Sequence, residues 1–325
     1  MRRREFIAGV GASIVVWPTC VVAQQSGSLH VGFLGAASEA GYAGRVAALR
    51  AGLHDLGYVE GKNLVFDAVW AEGRYDRLSG LAGDLVRRGV DVIVTHGTPG
   101  ASAAKQATST VPIVMAVSGD AVAMKIVASL ARPGGNVTGS SFFSPELNAK
   151  RLSLFKDLLP RIGRIGFLVN PDNPISELEI PDMDRLARLS NLDVQPFKAR
   201  SLREIEQVFS AMTEQRIQAV VMDSDGLFTA NYGAIAGAAA MQRLPTMSEP
   251  DFAKAGGLAG YGPNFLEMFR RAATFIDKIA KGAKPGDLPI EQPTKFDFIV
   301  NNKAARSLGL ELEPATLLRA DEVIE

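Results

Sequence analysis

The sequence predicts an α/β protein made of two doubly wound parallel-sheet lobes joined by a three-crossover hinge. Three observations carry that reading. Short apolar, β-branched runs alternate with stretches of helical spacing along nearly the whole 325-residue chain, as expected of βαβ units whose parallel strands are buried on both faces. The alternation then starts over: RIGFLVN at Arg164–Asn170 has the character of LHVGFL at Leu29–Leu34. Finally, Ser140-Ser141, Gly260-Tyr261-Gly262 and the proline-rich Lys284–Pro293 each pass from one unit to the next without a full loop. Three such joints make a stiff hinge with limited bending.

Residues 1–23 read as an export signal. Arg2, Arg3 and Arg4 precede an apolar stretch to Trp17, and Val21-Val22-Ala23 offers a small-residue cleavage site before Gln24. Arg3-Arg4-Glu5-Phe6-Ile7 fits the twin-arginine route, although Ala8 stands where a lysine is usual; an ordinary secretory signal with a basic start is the alternative. The only cysteine, Cys20, lies in this segment, and Trp17-Pro18-Thr19 ahead of it suits lipidation poorly. The apolar core is too short to span a bilayer. The expected location is periplasmic.

The first unit opens with a strand at Leu29–Leu34. Val46, Leu49, Leu53 and Leu56 form a helical stripe that Gly57 ends. Asn63–Trp70 alternates as a strand, and Leu78, Leu81, Leu85 and Val86 mark the helix Arg74–Arg88. The strand Val90–Val94 ends in His96-Gly97-Thr98-Pro99, where Thr98 is the expected N-cap and Pro99 the first helical position. The strand Ile113–Val117 ends in Ser118-Gly119-Asp120 and should feed another helix before a fifth strand near Val137–Phe143.

In the second unit the expected order is helix Glu146–Leu159, strand Arg164–Asn170, helix Glu179–Ser190 and strand Asp193–Lys198. Helix Leu202–Gln215, strand Ala219–Asp223, helix Tyr232–Arg243 and short strands at Leu244–Met247 and Leu258–Tyr261 follow. Helix Phe265–Lys281, strand Phe296–Asn301 and a short helix Asn302–Leu308 precede a tail. The predicted lobes are residues 29–140 with 262–290, and 141–261 with 291–325.

Composition narrows the function. With 35 basic and 35 acidic residues the net charge is zero, so there is no footprint for nucleic acid. The chain has no Walker A run, no GxSxG elbow, no HExxH and no CxxC, and His30, His54 and His96 lack metal-ligand spacing. No catalytic residue, metal or cofactor is expected. The pattern suits a protein that binds something rather than transforms it.

In an open parallel sheet of order 2-1-3-4-5, ligands collect beyond the carboxyl ends of the strands at the switch point. That places Ser38, Gly97, Thr98 and Asp120 at the mouth of the first lobe, with hydroxyls and free N–H groups suited to a carboxylate. Asn170, Asp223 and Asp225 stand at the matching ends of the second lobe, suited to an amine or to hydroxyls. Tyr261, at a suspected crossing, is a candidate stacking wall. Plainer roles compete: Thr98 as a cap, Asp225-Gly226 and Asn170-Pro171 as turns, Tyr261 as an apolar strand residue and His96 as a structural strand end. Together the lobes would bracket a zwitterion such as an amino acid.

A resemblance adds to this. The residues Thr98-Pro99, Ala103-Ala104-Lys105, Pro112-Ile113-Val114, Gly119-Asp120 and SLARPGGNVTG at Ser129–Gly139 resemble the ABC-transporter substrate-binding family that includes tryptophan- and tyrosine-type uptake proteins. Gly57–Asn63 (GYVEGKN), Tyr261-Gly262-Pro263-Asn264, Arg270-Arg271-Ala272-Ala273 and Leu288–Phe296 (LPIEQPTKF) are similar to the same family. The resemblance implies a type I periplasmic binding fold that delivers a small solute to an ABC permease and its ATPase. Ala121 replaces the family's proline after Gly119-Asp120, and the loop Asp223–Tyr232 lacks its usual proline, so substrate identity is the open point. A sensory ligand-binding protein, or an enzyme on the same scaffold, is the alternative. Aromatic or branched amino acids are the first candidate ligands, and related carboxylates the next.

Overall fold

The Val31–Gly35 stretch is buried on both faces, and it becomes the centre of the first sheet. The computed structural model describes residues 27–142 and 144–325; the export segment with Arg3, Arg4 and Cys20 lies outside them. Strand β1 (Leu29–Gly35) is flanked by β2 (Leu64–Trp70) and β3 (Val92–His96), followed by β4 (Ile113–Val117) and β5 (Val137–Gly139). All pairings are parallel and the order is β2-β1-β3-β4-β5.

The second sheet repeats this order and extends it. Its strands are β6 (Arg164–Val169), β7 (Asp193–Lys198), β8 (Ala219–Met222), β9 (Thr246–Ser248), β10 (Ala259–Pro263), β11 (Phe296–Asn301) and β12 (Glu322–Ile324). They lie in the order β12-β11-β10-β9-β8-β6-β7, with only β10 and β11 antiparallel. Beyond the short helix α11 (Asn302–Ser307), the expected tail is thus partly structured: it forms α12 (Pro314–Leu317) and the edge strand β12. Asp321 fixes that edge, its carboxylate accepting from the Phe298 N–H at 2.8 Å. A three-residue strand is too short for periodicity to reveal.

Helices cover both faces of each sheet. In the first, α1 (Glu39–Asp55) and α10 (Phe265–Ala280) bury Leu49, Leu53, Phe269 and Ile276 on one side, while α2 (Leu78–Arg87) and α3 (Gly97–Ala107) bury Leu78, Leu85, Ala101 and Ala104 on the other. Helix α10 follows a strand of the second sheet yet packs on the first. Gly52 of α1 permits this approach, since a Cβ there would sit 2.5 Å from the Arg270 carbonyl. In the second sheet, α4 (Ser144–Leu158) and α5 (Ser176–Leu189) cover one face. Helices α6 (Leu202–Glu214), α7 (Gly226–Ala230), α8 (Tyr232–Met241) and α9 (Pro250–Lys254) cover the other.

The chain crosses between sheets three times. Ser141 N–H donates to the Glu291 carbonyl at 3.0 Å and Glu291 N–H to the Gly139 carbonyl at 2.9 Å, so the first and third crossings run side by side. The second comes after Pro263, where the Asn264 side chain caps α10 by accepting from the Glu267 N–H at 3.0 Å. Gly262 is therefore still paired in the second sheet.

Two local expectations are corrected. The stretch after Asp120 makes turns, with no helix. Lys125 takes a left-handed φ of 55°, and the Lys105 ammonium donates to the Lys125 and Ile126 carbonyls at 2.7 and 2.8 Å, which a helix would have needed. Thr98 is not the N-cap of α3: the helix starts at Gly97, whose φ of 70° makes the turn out of β3, and His96 holds the cap position.

Candidate functional site

The carboxyl ends of β3 and β4 face those of β6 and β8 across a cavity between the sheets. Its space, including the part open to solvent, is about 430 Å³. Tyr42 and Arg45 of α1, His96-Gly97-Thr98, Ser118-Gly119, Phe142 and Phe265 form one wall. Asn173, Ile175, Glu179, Ser224-Asp225-Gly226 and Glu249 form the other. Gly119 lets the walls meet, since a Cβ there would lie 2.4 Å from the Ile175 side chain.

His96 is a neutral part of the wall. Its Nε2 accepts from the Ala36 N–H at 3.0 Å and its ring stacks on Tyr42 at 4.0 Å. Burial, and then the charge of Arg45, push its pKa down to about 3. Arg45 lies over the Tyr42 and Phe265 rings at 5.1 and 4.9 Å and donates to Glu249 at 3.2 Å and Asp251 at 3.3 Å on the opposite side. Tyr232 donates to the same Glu249 oxygen at 2.6 Å. The pair is almost fully buried, so loss of either partner leaves an uncompensated charge, a change of about 3–5 kcal/mol.

Asp225 is satisfied by the protein itself. Its Oδ1 accepts from Asn170 Nδ2 at 3.1 Å and from the Leu227 N–H at 2.9 Å, its Oδ2 from Asn173 Nδ2 at 2.9 Å. The Tyr75 hydroxyl, arriving from the first lobe, reaches both oxygens at 3.0 and 2.9 Å. Burial, and then the charge of Asp223, still push its pKa up to about 6.

Other buried polar atoms have no partner among the described residues: Ser118 Oγ, Glu179 Oε2, Asp223 Oδ2 and Asn148 Nδ2. Each such atom costs about 1–3 kcal/mol if nothing meets it. Ser118 and Glu179 line the cavity, and Asp223 stands next to the lining residue Ser224. Burial, and then Glu179, hold the Asp223 carboxyl well above the usual carboxylate range. Arg151, also buried, donates from Nε to the Tyr261 carbonyl at 2.9 Å and from Nη2 to Ser224 Oγ at 3.2 Å. Among the described residues no group of His, Cys, Asp or Glu is placed to hold a metal, and no helix is long and apolar enough to cross a membrane.

Of the residues singled out in the sequence, Gly97, Thr98 and Asp225 line the cavity, while Asn170 and Asp223 stand behind its wall. Ser38, Asp120 and Tyr261 are not brought to it. Ser38 caps α1, accepting from the Gly41 N–H at 3.3 Å, and Asp120 caps its own turn through the Val122 and Ala123 N–H groups. Tyr261 stacks on Phe296 at 5.9 Å beside a separate hinge cavity with Phe142 and Gln292. Each is the local role its residue type favours.

Sequence reasoning missed Tyr42, Arg45, Tyr75, Glu179 and Glu249, while it placed Ser118 at the end of β4, where it lines the cavity. One signal was available. Arg45 sits on the stripe of Tyr42, Val46, Leu49 and Leu53, and a charge on a buried stripe requires a partner. Glu179, among Glu177, Asp182 and Asp184, reads as part of a solvated acidic face.

The model of the family described as ABC transporter substrate binding protein matches residues 35–324. A tyrosine-binding protein of Clostridioides difficile is 27% identical over 261 residues, 80% of this chain and 74% of that protein. The structure of an ABC domain in complex with L-Trp from Streptococcus pneumonia superposes with a TM-score of 0.84 at 26% identity, covering 91% of this chain and 100% of that one. A conserved domain protein from Vibrio cholerae O1 biovar eltor gives the same TM-score and identity, covering 92% of this chain and 100% of its own.

Proposed function

The chain belongs to the ABC transporter substrate-binding protein family, and on that premise we propose that it is an exported receptor that closes on an amino acid and delivers it to an ABC permease and ATPase. The observation that carries the reading is the set of unpartnered polar atoms around an aromatic-walled cavity between the sheets. A zwitterion supplies what they lack. Its carboxylate would take the Thr98 and Ser118 hydroxyls and the free N–H groups of the first turn of α3. Its ammonium would take the acidic wall opposite. The aromatic faces of Tyr42, Phe142 and Phe265 favour an aromatic or branched side chain. The named ligands of the two relatives, tyrosine and L-Trp, support the same class.

Within the acidic wall, the geometry favours Glu179 over Asp225, because Asp225 already accepts from four protein groups. Binding rather than turnover is the role. The test is a thermal-shift screen of the purified mature protein against the amino acids and related aromatic acids. A true ligand at 100 times its Kd should stabilise by about 2.7 kcal/mol. Melting unchanged by every compound in the panel would reject the amino-acid reading.

A further inference from the structure

Glu249 follows the last residue of β9 and is 2% exposed, yet the protein uses only one of its carboxylate oxygens. Oε2 accepts from Arg45 Nη2 at 3.2 Å and from the Tyr232 hydroxyl at 2.6 Å. Among the described residues no donor reaches Oε1, and Glu249 lines the cavity. Both oxygens of a carboxylate carry lone pairs, so Oε1 is an acceptor without a donor. Its neighbours are aromatic. The Arg45 guanidinium that holds Oε2 lies over the Tyr42 and Phe265 rings at 5.1 and 4.9 Å, and Phe265 meets Phe142 edge-on at 6.1 Å. Glu179 belongs to the other end of the wall. In the second sheet β8 lies between β9 and β6, the strand that leads into α5. The two acids therefore start from strands two spacings, about 10 Å, apart.

We propose that Glu249 reads the ligand's side chain: its Oε1 accepts from an N–H or O–H carried on an aromatic ring, so the protein prefers an amino acid whose ring bears such a donor, a phenol or an indole. The inference rests on the amino-acid reading of the cavity and narrows it, leaving Glu179 to the ammonium. A bare phenyl or a branched aliphatic side chain suits the same aromatic walls but leaves Oε1 unmet once the lobes shut out water. A site built around a polar group rejects the analogue that lacks its partner far more strongly than size alone does. An ether at the same position sets a lone pair against the carboxylate and is disfavoured on that ground.

The test pairs ligands that differ only in the ring donor. Calorimetry of the wild type should find L-tyrosine bound about 10- to 100-fold tighter than L-phenylalanine, or L-tryptophan tighter by a similar factor than its benzothienyl analogue, in which sulfur replaces the ring N–H. The preference should appear in whichever pair the cavity accommodates. Glu249→Gln then tests the residue. Arg45 and Tyr232 both donate, so they hold the new amide by its oxygen and leave its NH2 group to the cavity, a donor in place of an acceptor. The preference should vanish, whereas a merely structural loss would weaken both members of a pair alike. Glu249→Asp keeps the charge opposite Arg45 but withdraws the oxygens; it should lower the preference too, and serves if the amide variant does not fold. Asp251→Asn, which alters the more exposed partner of Arg45, should keep it. Equal affinities within both pairs in the wild type, or a preference undiminished in both Glu249 variants, overturns the proposal. Tyramine and phenethylamine, rings with and without the donor but lacking the carboxylate, separate the two readings. Tighter binding of tyramine with no binding of any of the four amino acids would reject the amino-acid reading and leave the ring-donor reading standing. No binding of any of these probes overturns both.

Discussion

Asp225 shows how much a side chain's environment can differ from what its neighbours in sequence suggest. Followed by glycine, it reads as a turn residue, and it is one: it caps α7 through the Leu227 N–H. The same carboxylate gathers Asn170, Asn173 and Tyr75, the last from the opposite lobe. Those bonds favour the charged form, but burial outweighs them and the pKa rises from 3.8 to about 6. A carboxyl raised on folding contributes stability that is fully present below its unfolded value, near pH 4, and is lost as pH rises through 6. The rise corresponds to roughly 3 kcal/mol. Urea unfolding of wild type and Asp225→Asn at pH 4, 5, 6 and 7 should show the wild type losing more stability over that range by about this amount. Parallel profiles would mean that Asp225 titrates as an ordinary carboxyl.

Between elements, the contacts across the cavity depend on small residues. Helix α1 touches α7 at Gly41, where a Cβ would lie 2.4 Å from the Ala230 Cβ and 2.6 Å from its Cα. Alanine at that position favours the helix by up to about 1 kcal/mol yet obstructs the approach of the lobes. Gly41→Ala should therefore melt no lower than the wild type without ligand and bind its ligand more weakly. Calorimetry and melting on the same preparation separate the two effects. Unchanged affinity would show that α1 and α7 do not need to meet for capture. Glycine is the only residue type compatible with both demands, and its Cα alone carries no sequence signal of that role.

For the whole molecule, Arg45–Glu249, Tyr75–Asp225 and Gly119–Ile175 tie the two lobes around one cavity. These are the contacts of a closed clamshell, since each spans the gap between sheets joined only by three short crossings. Such a hinge permits rigid-body opening of limited angle. Small-angle scattering should give a smaller radius of gyration with ligand than without. Tyr75→Phe, which loses its bonds to Asp225 only in the closed form, should release ligand faster, weakening binding by about 1–2 kcal/mol. An identical radius in both states would mean that the ligand-free protein is already closed.

The sequence by itself determined the class of fold, because buried parallel strands must be apolar throughout and the helices between them must keep one apolar stripe; the antiparallel pairing of β11 and the edge strand β12 came only with the structure. It also singled out Gly97, Thr98, Asn170, Asp223 and Asp225, which all come to or behind the cavity wall. Only the tertiary structure decided which acids are available. Asp225 is consumed by amides that lie 52 and 55 residues away, while Glu179, on an acidic helix, lines the cavity with an oxygen that has no partner among the described residues. It likewise decided that Ser38, Asp120 and Tyr261 serve their own turns, helix and hinge. A local pattern records what a residue can do within its own element. Whether a buried polar atom is satisfied depends on groups from distant parts of the chain, and that is settled only when they are packed together.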